Sequence, residues 1–236
     1  MKCLLHCVFR QSEEGLPEGC GGEVFVVRGH GLAGAASPVE EGGTVPGVSR
    51  LLAYQQVIEA FHASRAVIPM RYGCLLESEP AILRLLEEHR QEYETLLTRF
   101  EGMVEMGIRI LWNRGQRPVP REPEAVPSTP GAAYLAMLRK RHPPGDGLEA
   151  EEGRLAELIS SSLGGFYDRL RAEASTVAEG RMLSLYFLTP KTSVADFRDR
   201  VRQMHFPEGT KLLLSGPWPP YNFVSSPPPP VWTRSY

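Results

Sequence analysis

The sequence predicts a two-domain protein of the α+β class, and three observations support this. A chain of 236 residues exceeds the usual size of one domain. Segments with the alternating pattern of strands are interspersed with segments of helical spacing. From Met103 onward their order is strand, helix, strand, strand, helix, strand, which is the split βαβ of a ferredoxin-like domain. We therefore expect an N-terminal mixed α+β domain over residues 1–101 and a C-terminal ferredoxin-like (βαββαβ) domain over residues 102–236.

The first domain is predicted to begin with two strands, residues 2–10 and 23–28, joined by a turn region rich in Gly, Pro and Glu. Residues 32–37 are a candidate third strand. A helix should follow, because apolar residues and one histidine recur at helical spacing: Val48, Leu51, Leu52, Ile58, Phe61 and His62. Pro69 biases the residue before it toward extended structure, so this helix should end before Val67.

A second helix, residues 78–100, is the clearest element of the sequence. Ser78 is its predicted N-cap, and Pro80 lies in its first turn. A single stripe, mostly apolar, runs along it: Ile82, Leu85, Leu86, His89, Tyr93, Leu96, Leu97 and Phe100. The opposite face is acidic and should be solvated.

The second domain is predicted to begin with a strand over residues 103–111. Residues 112–127 carry repeated prolines and should form a loop. One helix is expected from Thr129 to about Arg141. Helical spacing resumes over residues 148–170, where Gly164 and Gly165 weaken it locally.

The remaining elements of the second domain follow in the same way. Residues 173–177 and 182–188 should be strands that turn at Glu179 and Gly180. Thr192 or Ser193 should cap a helix with Val194, Phe197, Val201 and Met204 on one face. Residues 211–215 are the last predicted strand.

Composition and charge argue against several classes of protein. The 28 acidic residues and 26 lysines and arginines leave a net charge of -2 and are mixed along the chain, which argues against a nucleic-acid binder. No stretch approaches the roughly eighteen apolar residues of a membrane span. The amino terminus has too short an apolar run for a signal peptide, so we expect a cytosolic location. In a reducing compartment the four cysteines are expected to be free thiols.

Two motifs invite a cofactor or metal interpretation. Residues 29–34 match the GxGxxG pattern of dinucleotide sites, but Pro38 follows too soon for the helix that such a site requires. Cys3, His6 and Cys7 have side chains of the types that bind zinc. On a strand, Cys3 and Cys7 should share one face and His6 should lie on the other, so the three should not converge. We expect neither site.

Catalytic motifs of the common hydrolase, metalloprotease, nucleotide-binding and deaminase families are absent from the sequence. Glu101 and Glu105 are candidates for an acid pair, although structural salt bridges are commoner for such residues. We therefore expect no catalytic, cofactor-binding or metal-binding residue, and the sequence does not predict an enzyme.

The segment GPWPPYNFV, residues 216–224, follows the last predicted strand and precedes four consecutive prolines. Its own prolines exclude a helix or a central strand. Trp218, Tyr221 and Phe223 would each contribute roughly 1.5–3 kcal/mol on burial, so a domain or a partner should cover them. We expect residues 216–236 to form a Pro/aromatic extension of the second domain.

A second distinctive string, VIPMRYG at residues 67–73, precedes GPWPPYNFV in the chain. Together the two strings resemble the gas vesicle protein F/L (GvpF/GvpL) family. The helix before VIPMRYG, the acidic helix after it, the strand that contains Glu105 and the PGAAYL string resemble that family in the same order, over nearly the whole chain. Tyr72 stands where phenylalanine is usual, Cys74 follows the glycine, and the first strand is not tyrosine-rich, so the choice between F and L stays open.

The resemblance implies a minor structural and accessory component of the gas vesicle inside the cell. Such a protein binds the small hydrophobic shell protein GvpA and helps to prevent its aggregation during nucleation and assembly. Other gas vesicle accessory proteins are further expected partners, and the resemblance implies neither an enzyme activity nor a cofactor. The alternative is a small-molecule-sensing regulatory module, since ferredoxin-like domains often bind effectors at sheet edges or interfaces.

Five residues are candidates for partner binding: Trp218, Tyr221, Phe223, Arg71 and Tyr72. A shell subunit exposes apolar surface before assembly, and strand addition or apolar docking would cover that surface. For the three aromatic residues of the terminal segment, the alternative is an intramolecular clasp. For Arg71, the alternative is an ion pair with an acidic residue of the 78–100 helix.

Overall fold

The computed structural model describes residues 1–20, 23–39, 48–112, 150–177, 180–206 and 210–224. They form two compact units. The first contains Met1–Glu101 and the chain from Pro219 onward, and the second contains Gly102–Trp218. Each unit has an antiparallel sheet with helices packed on it, which confirms the predicted α+β class.

The sheet of the first unit consists of β1 (Lys2–Arg10), β2 (Phe25–Gly29), β3 (Leu32–Val39), β4 (Ile68–Pro69) and β5 (Leu75–Leu76). The strand order is β2-β3-β1-β4, and β5 also pairs with β1. His30 and Gly31, both with positive φ, make the tight turn between β2 and β3. The GxGxxG match therefore spans a hairpin turn, and the element that follows it is a strand.

Helix α1 (Val48–Ser64) packs on one face of this sheet. Together they form the α1 cluster, whose buried members are Cys7, Phe9, Val24, Ala33, Ala35, Tyr54, Val57, Ile58, Phe61 and Val67. The predicted stripe is wrong at its start, because Val48, Leu51 and Leu52 are exposed. At 100° per residue, Val48 and Leu52 lie about 120° and 160° around the helix from Tyr54, away from the sheet.

The opposite face of the sheet is covered by α2 (Glu79–Glu88) and α3 (Arg90–Phe100). The single predicted helix is thus two helices, which meet at His89, where the backbone leaves the helical region (φ -103, ψ 12). Ser78 occupies the N-cap position of α2, but its side chain makes no capping hydrogen bond. Its carbonyl oxygen instead accepts the amides of Ala81 and Ile82.

In the residues that the structure describes, the second unit contains β6 (Met103–Trp112), α4 (Ala150–Ser162), β7 (Arg169–Val177), β8 (Gly180–Pro190), α5 (Val194–Arg202) and β9 (Lys211–Trp218). The strand order is β7-β8-β6-β9, with every neighbouring pair antiparallel. The two helices and one face of the sheet enclose its core: Met106, Ile108, Ile110, Leu155, Ala156, Ile159, Leu163, Leu170, Leu183, Leu185, Phe187, Phe197 and Val201.

The predicted end of the 148–170 helix, one predicted side-chain cap and the predicted end of the last strand are wrong in this unit. Leu170 lies in β7 rather than in a helix, because α4 ends at Ser162 and Gly165 adopts a positive φ of 90°. Ser193 occupies the N-cap position of α5 without a side-chain bond, because a 3-10 turn precedes the helix and supplies a backbone acceptor. The last strand continues past Ser215 to Trp218.

The loop predicted over residues 112–127 and the helix predicted from Thr129 to about Arg141 lie, apart from residue 112, outside the described residues.

Gly216 is the point of closest backbone approach in this sheet. The register between β6 and β9 shifts opposite residues 105–107, and Gly216 has a φ of 99°. A Cβ atom at Gly216 would lie 2.5 Å from the carbonyl oxygen of Glu105 and 3.3 Å from the Cα atom of Met106. The guanidinium of Arg198 donates to the Gly216 carbonyl at 2.7 Å. This position therefore requires glycine.

We expect Gly216→Ala to lower the free energy of unfolding of the second unit by about 2–4 kcal/mol, because backbone atoms would have to move. Gly102→Ala is the matched control: Gly102 also has a positive φ, of 65°, but no atom lies within 4 Å of its added Cβ, so the expected loss is roughly 1–2 kcal/mol. Urea unfolding measures both. Equal losses would contradict the close approach.

Candidate interaction site around Tyr54

Strand β1 contains a β-bulge at His6. Its register with β3 shifts between Leu5 and Cys7, so that His6 is an extra residue on β1. The shift moves every following side chain to the other face of the sheet. The expectation that Cys3 and Cys7 share a face is therefore wrong. Among the described residues, no group of three or more His, Cys, Asp or Glu side chains is arranged to hold a metal ion.

The hydroxyl group of Tyr54, on α1, reaches the bulge. Its oxygen lies 2.8 Å from the carbonyl oxygen of Met70. The carbonyl oxygens of Leu5 and His6 lie 3.1 and 3.4 Å from it. Burial raises the pKa of Tyr54 well above its ordinary value, and a negative charge on the neighbouring Cys74 would raise it further. The group therefore stays protonated and donates its single hydrogen beside the bulge, where the carbonyl oxygen of Met70 is the nearest acceptor.

The imidazole of His6 packs beside Tyr54, with 4.7 Å between the ring centroids. Its Nε2 lies 3.0 Å from the hydroxyl oxygen of Ser37. Burial lowers the pKa of His6 to about 4, because a charged imidazole would lose its hydration there. At neutral pH the ring is uncharged and belongs to the packing of the bulge.

The VIPMRYG string lies next to the bulge and makes three contacts there. Strand β4, within this string, pairs with β1 immediately after the bulge. The amide of Met70 donates to the carbonyl oxygen of His6 at 2.8 Å. The ring of Tyr72 meets that of Tyr54 edge to face, with centroids 5.1 Å apart. The string thus supplies a strand, a backbone donor and an aromatic contact to one site.

Arg71 and Tyr72 are neighbours with different environments. Tyr72 is half-buried and packs against the α1 cluster. Arg71 is exposed, and within the described ranges its guanidinium has no ion pair. The predicted pairing of Arg71 with an acidic residue of the 78–100 helix is therefore wrong.

The terminal aromatic residues are divided between the two units. Trp218 ends β9 opposite Glu105 and is 37% exposed. Pro219 and Pro220 are buried, and the half-buried Tyr221 packs against the α1 cluster of the first unit. Residues 219–224 thus belong to the first unit, whereas residues 216–236 were expected to extend the second domain. The consecutive prolines cannot supply the amides that would continue β9.

Phe223 lies in a 3-10 turn, Tyr221–Phe223, and is half-buried. Its amide donates to the carbonyl oxygen of Pro220 at 3.2 Å. The two distinctive strings of the sequence thus meet at one place, since Tyr72 and Tyr221 both pack against the cluster that contains Tyr54. Trp218 and Arg71 do not take part in that packing.

The residues at the centre of the site, Tyr54 and His6, are not among the five residues that the sequence suggested for partner binding. Tyr54 lies one turn before Ile58 on the buried side of α1, so its helical position carried a signal of burial. No sequence pattern marks His6 as the bulged residue, because a bulge is a property of the pairing between two strands. The aromatic residues of the two strings could be recognised from the sequence. The carbonyl oxygens near the Tyr54 hydroxyl are backbone atoms, and no residue type identifies them in a sequence.

The fold is similar to that of two solved gas vesicle proteins. The crystal structure of GvpF from Anabaena sp. superposes with a TM-score of 0.66 at 18% identity, covering 96% of this chain and 97% of that one. The crystal structure of GvpF from Microcystis aeruginosa superposes with a TM-score of 0.66 at 15% identity, covering 94% and 98%. At these identities the likeness concerns the fold.

Sequence comparison extends the likeness. The chain is 26% identical to gas vesicle protein F of a Streptomyces species, over 95% of this chain and all of that protein. It is also 26% identical to gas vesicle protein L1 of Halobacterium salinarum, over 85% of this chain and 80% of that protein. The family model described as gas vesicle synthesis protein GvpL/GvpF matches residues 2–225. The chain therefore belongs to the GvpL/GvpF family.

Family membership supports an accessory role in gas vesicles. In the part of the chain that the structure describes, every helix is too short or too polar to cross a membrane.

We expect Tyr54→Phe to lower the free energy of unfolding of the first unit by about 1–3 kcal/mol, because the buried carbonyl oxygen of Met70 loses this donor. Tyr72→Phe is the matched control, since the Tyr72 hydroxyl makes no hydrogen bond to the described residues, and it should change stability by less than about 0.5 kcal/mol. Urea unfolding decides. Equal effects would show that the hydroxyl of Tyr54 does not hold the bulge.

We expect the free energy of unfolding to fall as the pH drops from 6.5 toward 4. In this window the unfolded chain binds a proton at His6 that the folded protein, with a pKa of about 4, does not bind. The contribution of His6 is fully present above pH 6.5, and roughly 3 kcal/mol is lost across the window. Urea unfolding at pH 7, 5.5 and 4.5 measures it. His6→Gln should flatten this part of the profile, and unchanged slopes in the two proteins would refute the assignment.

Proposed function

We propose that the protein is a non-enzymatic accessory component of the gas vesicle that binds the small hydrophobic shell protein GvpA. Its task is to keep GvpA from aggregating during nucleation and assembly, and its location is the gas vesicle. The observation that carries the proposal is the family match over residues 2–225. The similarity to gas vesicle proteins F and L1 over most of their length supports it.

The chemistry of the ionisable side chains supports a role without catalysis. Burial raises the pKa of all four cysteine thiols: Cys3, Cys7, Cys20 and Cys74. Protonated thiols are poor nucleophiles at neutral pH. His6 and Tyr54 are committed to the bulge of β1. Glu101, a candidate for an acid pair, instead forms a salt bridge with Arg10 at 3.3 Å.

The proposal includes a domain assignment. We take the second unit as a ferredoxin-like domain, supported by its strand order β7-β8-β6-β9, its antiparallel pairing and its two helices against one face of the sheet. The first unit is then a mixed α+β domain that also includes the chain from Pro219 onward.

The five candidate contact residues differ in how exposed their side chains are. Tyr72, Tyr221 and Phe223 are half-buried, and the first two pack against the α1 cluster, which favours a role as an intramolecular clasp. Trp218 on the second unit and Arg71 on the first are exposed. A shell subunit exposes apolar surface before it assembles, so an exposed aromatic side chain suits a partner contact. We therefore assign the partner contacts to Trp218 and Arg71.

We expect the purified protein to suppress the aggregation of GvpA when GvpA is diluted out of denaturant, with light scattering as the measurement. An equimolar amount should reduce the scattering at least twofold, because bound GvpA no longer exposes its apolar surface. Trp218→Ala and Arg71→Glu should each weaken the effect.

Arg84→Glu is the control for Arg71→Glu, since Arg84 is also an exposed arginine of the first unit. Circular dichroism of each variant checks that its fold is retained. Scattering that is unchanged by the wild-type protein, together with its absence from isolated vesicles, would refute the proposed function.

A further inference from the structure

Strand β9 does not keep a single register with its neighbour β6. Ser215 pairs with Gly107, whereas Trp218 pairs with Glu105. Two steps along β6, from Gly107 to Glu105, therefore correspond to three steps along β9, from Ser215 to Trp218. Strand β9 thus contains one extra residue between Ser215 and Trp218, which makes this stretch a β-bulge.

The extra residue decides on which face of the sheet Trp218 lies. Side chains alternate between the two faces along a strand, and paired residues share a face. Met106 belongs to the core beneath the helices, so its neighbour Glu105 and the paired Trp218 lie on the opposite face. Without the extra residue, Trp218 would pair with Val104, on the face that the helices cover. The bulge therefore turns the indole away from the core, and the side chain of Trp218 is exposed.

The bulge consists of Gly216 and Pro217, and both residue types suit it. Gly216 has a φ of 99°, a conformation that glycine adopts readily. Its missing side chain lets the backbone approach β6, since an added Cβ would lie 2.5 Å from the carbonyl oxygen of Glu105. Pro217 has no amide hydrogen and cannot donate to the ladder. The backbone before Trp218 therefore needs a contact from outside the sheet to fix it.

The side chain of Arg198, on α5, supplies such a contact. Its Nη2 donates to the carbonyl oxygen of Gly216 at 2.7 Å, and the side chain is half-buried. Among the described residues, Arg198 has no carboxylate partner. A charged donor gives a stronger hydrogen bond than a neutral one. The adjacent Phe197 is fully buried in the core, which fixes the turn of α5 from which Arg198 extends.

We propose that Arg198 and Gly216 are positioning residues for the contact between Trp218 and an apolar side chain of the partner. Arg198 holds the bulge, and the bulge fixes the face and the orientation of the indole. An aromatic side chain that is already ordered loses less conformational entropy when it binds. The inference rests on the proposed function, which assigns Trp218 to a partner contact, and it adds the residues that present Trp218 to that partner.

The first test measures the order of the Trp218 ring in the full chain. Trp112→Phe and Trp232→Phe leave Trp218 as the only tryptophan. In this background Arg198→Met keeps most of the side-chain length and removes the donors. We expect it to roughly double the amplitude of the nanosecond component in the time-resolved fluorescence anisotropy, because a released ring moves on that timescale. An unchanged amplitude would overturn the proposal.

Arg200→Met is the matched control for this measurement. Arg200 lies on the same helix and also donates to a backbone carbonyl, that of Ser162 at 3.0 Å, but not to β9. Its loss should leave the amplitude unchanged. Arg198→Lys retains a charged donor and should give a smaller rise than Arg198→Met. Equal rises in Arg198→Met and Arg200→Met would overturn the proposal, and circular dichroism checks that each variant keeps its fold.

The GvpA scattering assay tests whether Arg198 acts through Trp218. Arg198→Met should weaken the suppression of scattering as much as Trp218→Ala does, and the double variant should be no weaker than Trp218→Ala alone. Additive losses would mean that Arg198 acts independently of the indole, which overturns the proposal.

The two assays also separate a failure of this proposal from a failure of the proposed function. Suppression that depends on Trp218 and not on Arg198 overturns the positioning role and leaves the function in place. A wild-type protein without effect on GvpA counts against the function. A rise in the anisotropy amplitude that is specific to Arg198→Met would still support the role of Arg198 in holding Trp218.

Discussion

The first unit depends on the hydroxyl group of Tyr54 at the bulge of β1. The extra residue at His6 brings the carbonyl oxygens of Leu5 and His6 close to that of Met70, and a buried carbonyl without a donor is costly. Tyr54 supplies that donor from α1, at 2.8 Å from Met70 and 3.1 Å from Leu5. The helix, the bulged strand and the VIPMRYG string are therefore tied together at one oxygen atom. The aromatic packing of Tyr72 and Tyr221 forms around it.

The sequence predicted the α+β class, the strands of both sheets except the short β4 and β5, and most helices, because these depend on local periodicity. The predictions were wrong where contacts between residues distant in the sequence determine the structure. The break at His89 divides a stripe that is continuous in the sequence. Val48 and Leu52 are apolar and at helical spacing, yet the sheet lies on another side of α1. The end of α4 at Ser162 depends on the backbone conformation that follows at Gly165, which composition does not reveal.

The candidate site was predictable in part for the same physical reason. Tyr72 and Tyr221 stand out in the sequence because prolines and glycines surround them. Their meeting place is set by the return of the chain to the first unit after Trp218, and the sequence carries no signal for that return. The ion pair predicted for Arg71 does not form with the 78–100 helix, and the sequence carries no signal for which acidic side chains lie within reach of its guanidinium. The bulge at His6 could be recognised only from the register of two strands.

The return of the chain at Pro219 has a consequence for biosynthesis. The second unit is inserted between two parts of the first, Met1–Glu101 and the segment that begins at Pro219. A ribosome makes the chain from its amino terminus, and domains generally fold as units while they emerge. The α1 cluster therefore cannot pack against Tyr221 until all of Gly102–Trp218 has been synthesised. Until then the aromatic surface that Tyr221 later covers is exposed in the nascent chain. The length of the inserted second unit sets how long this exposure lasts.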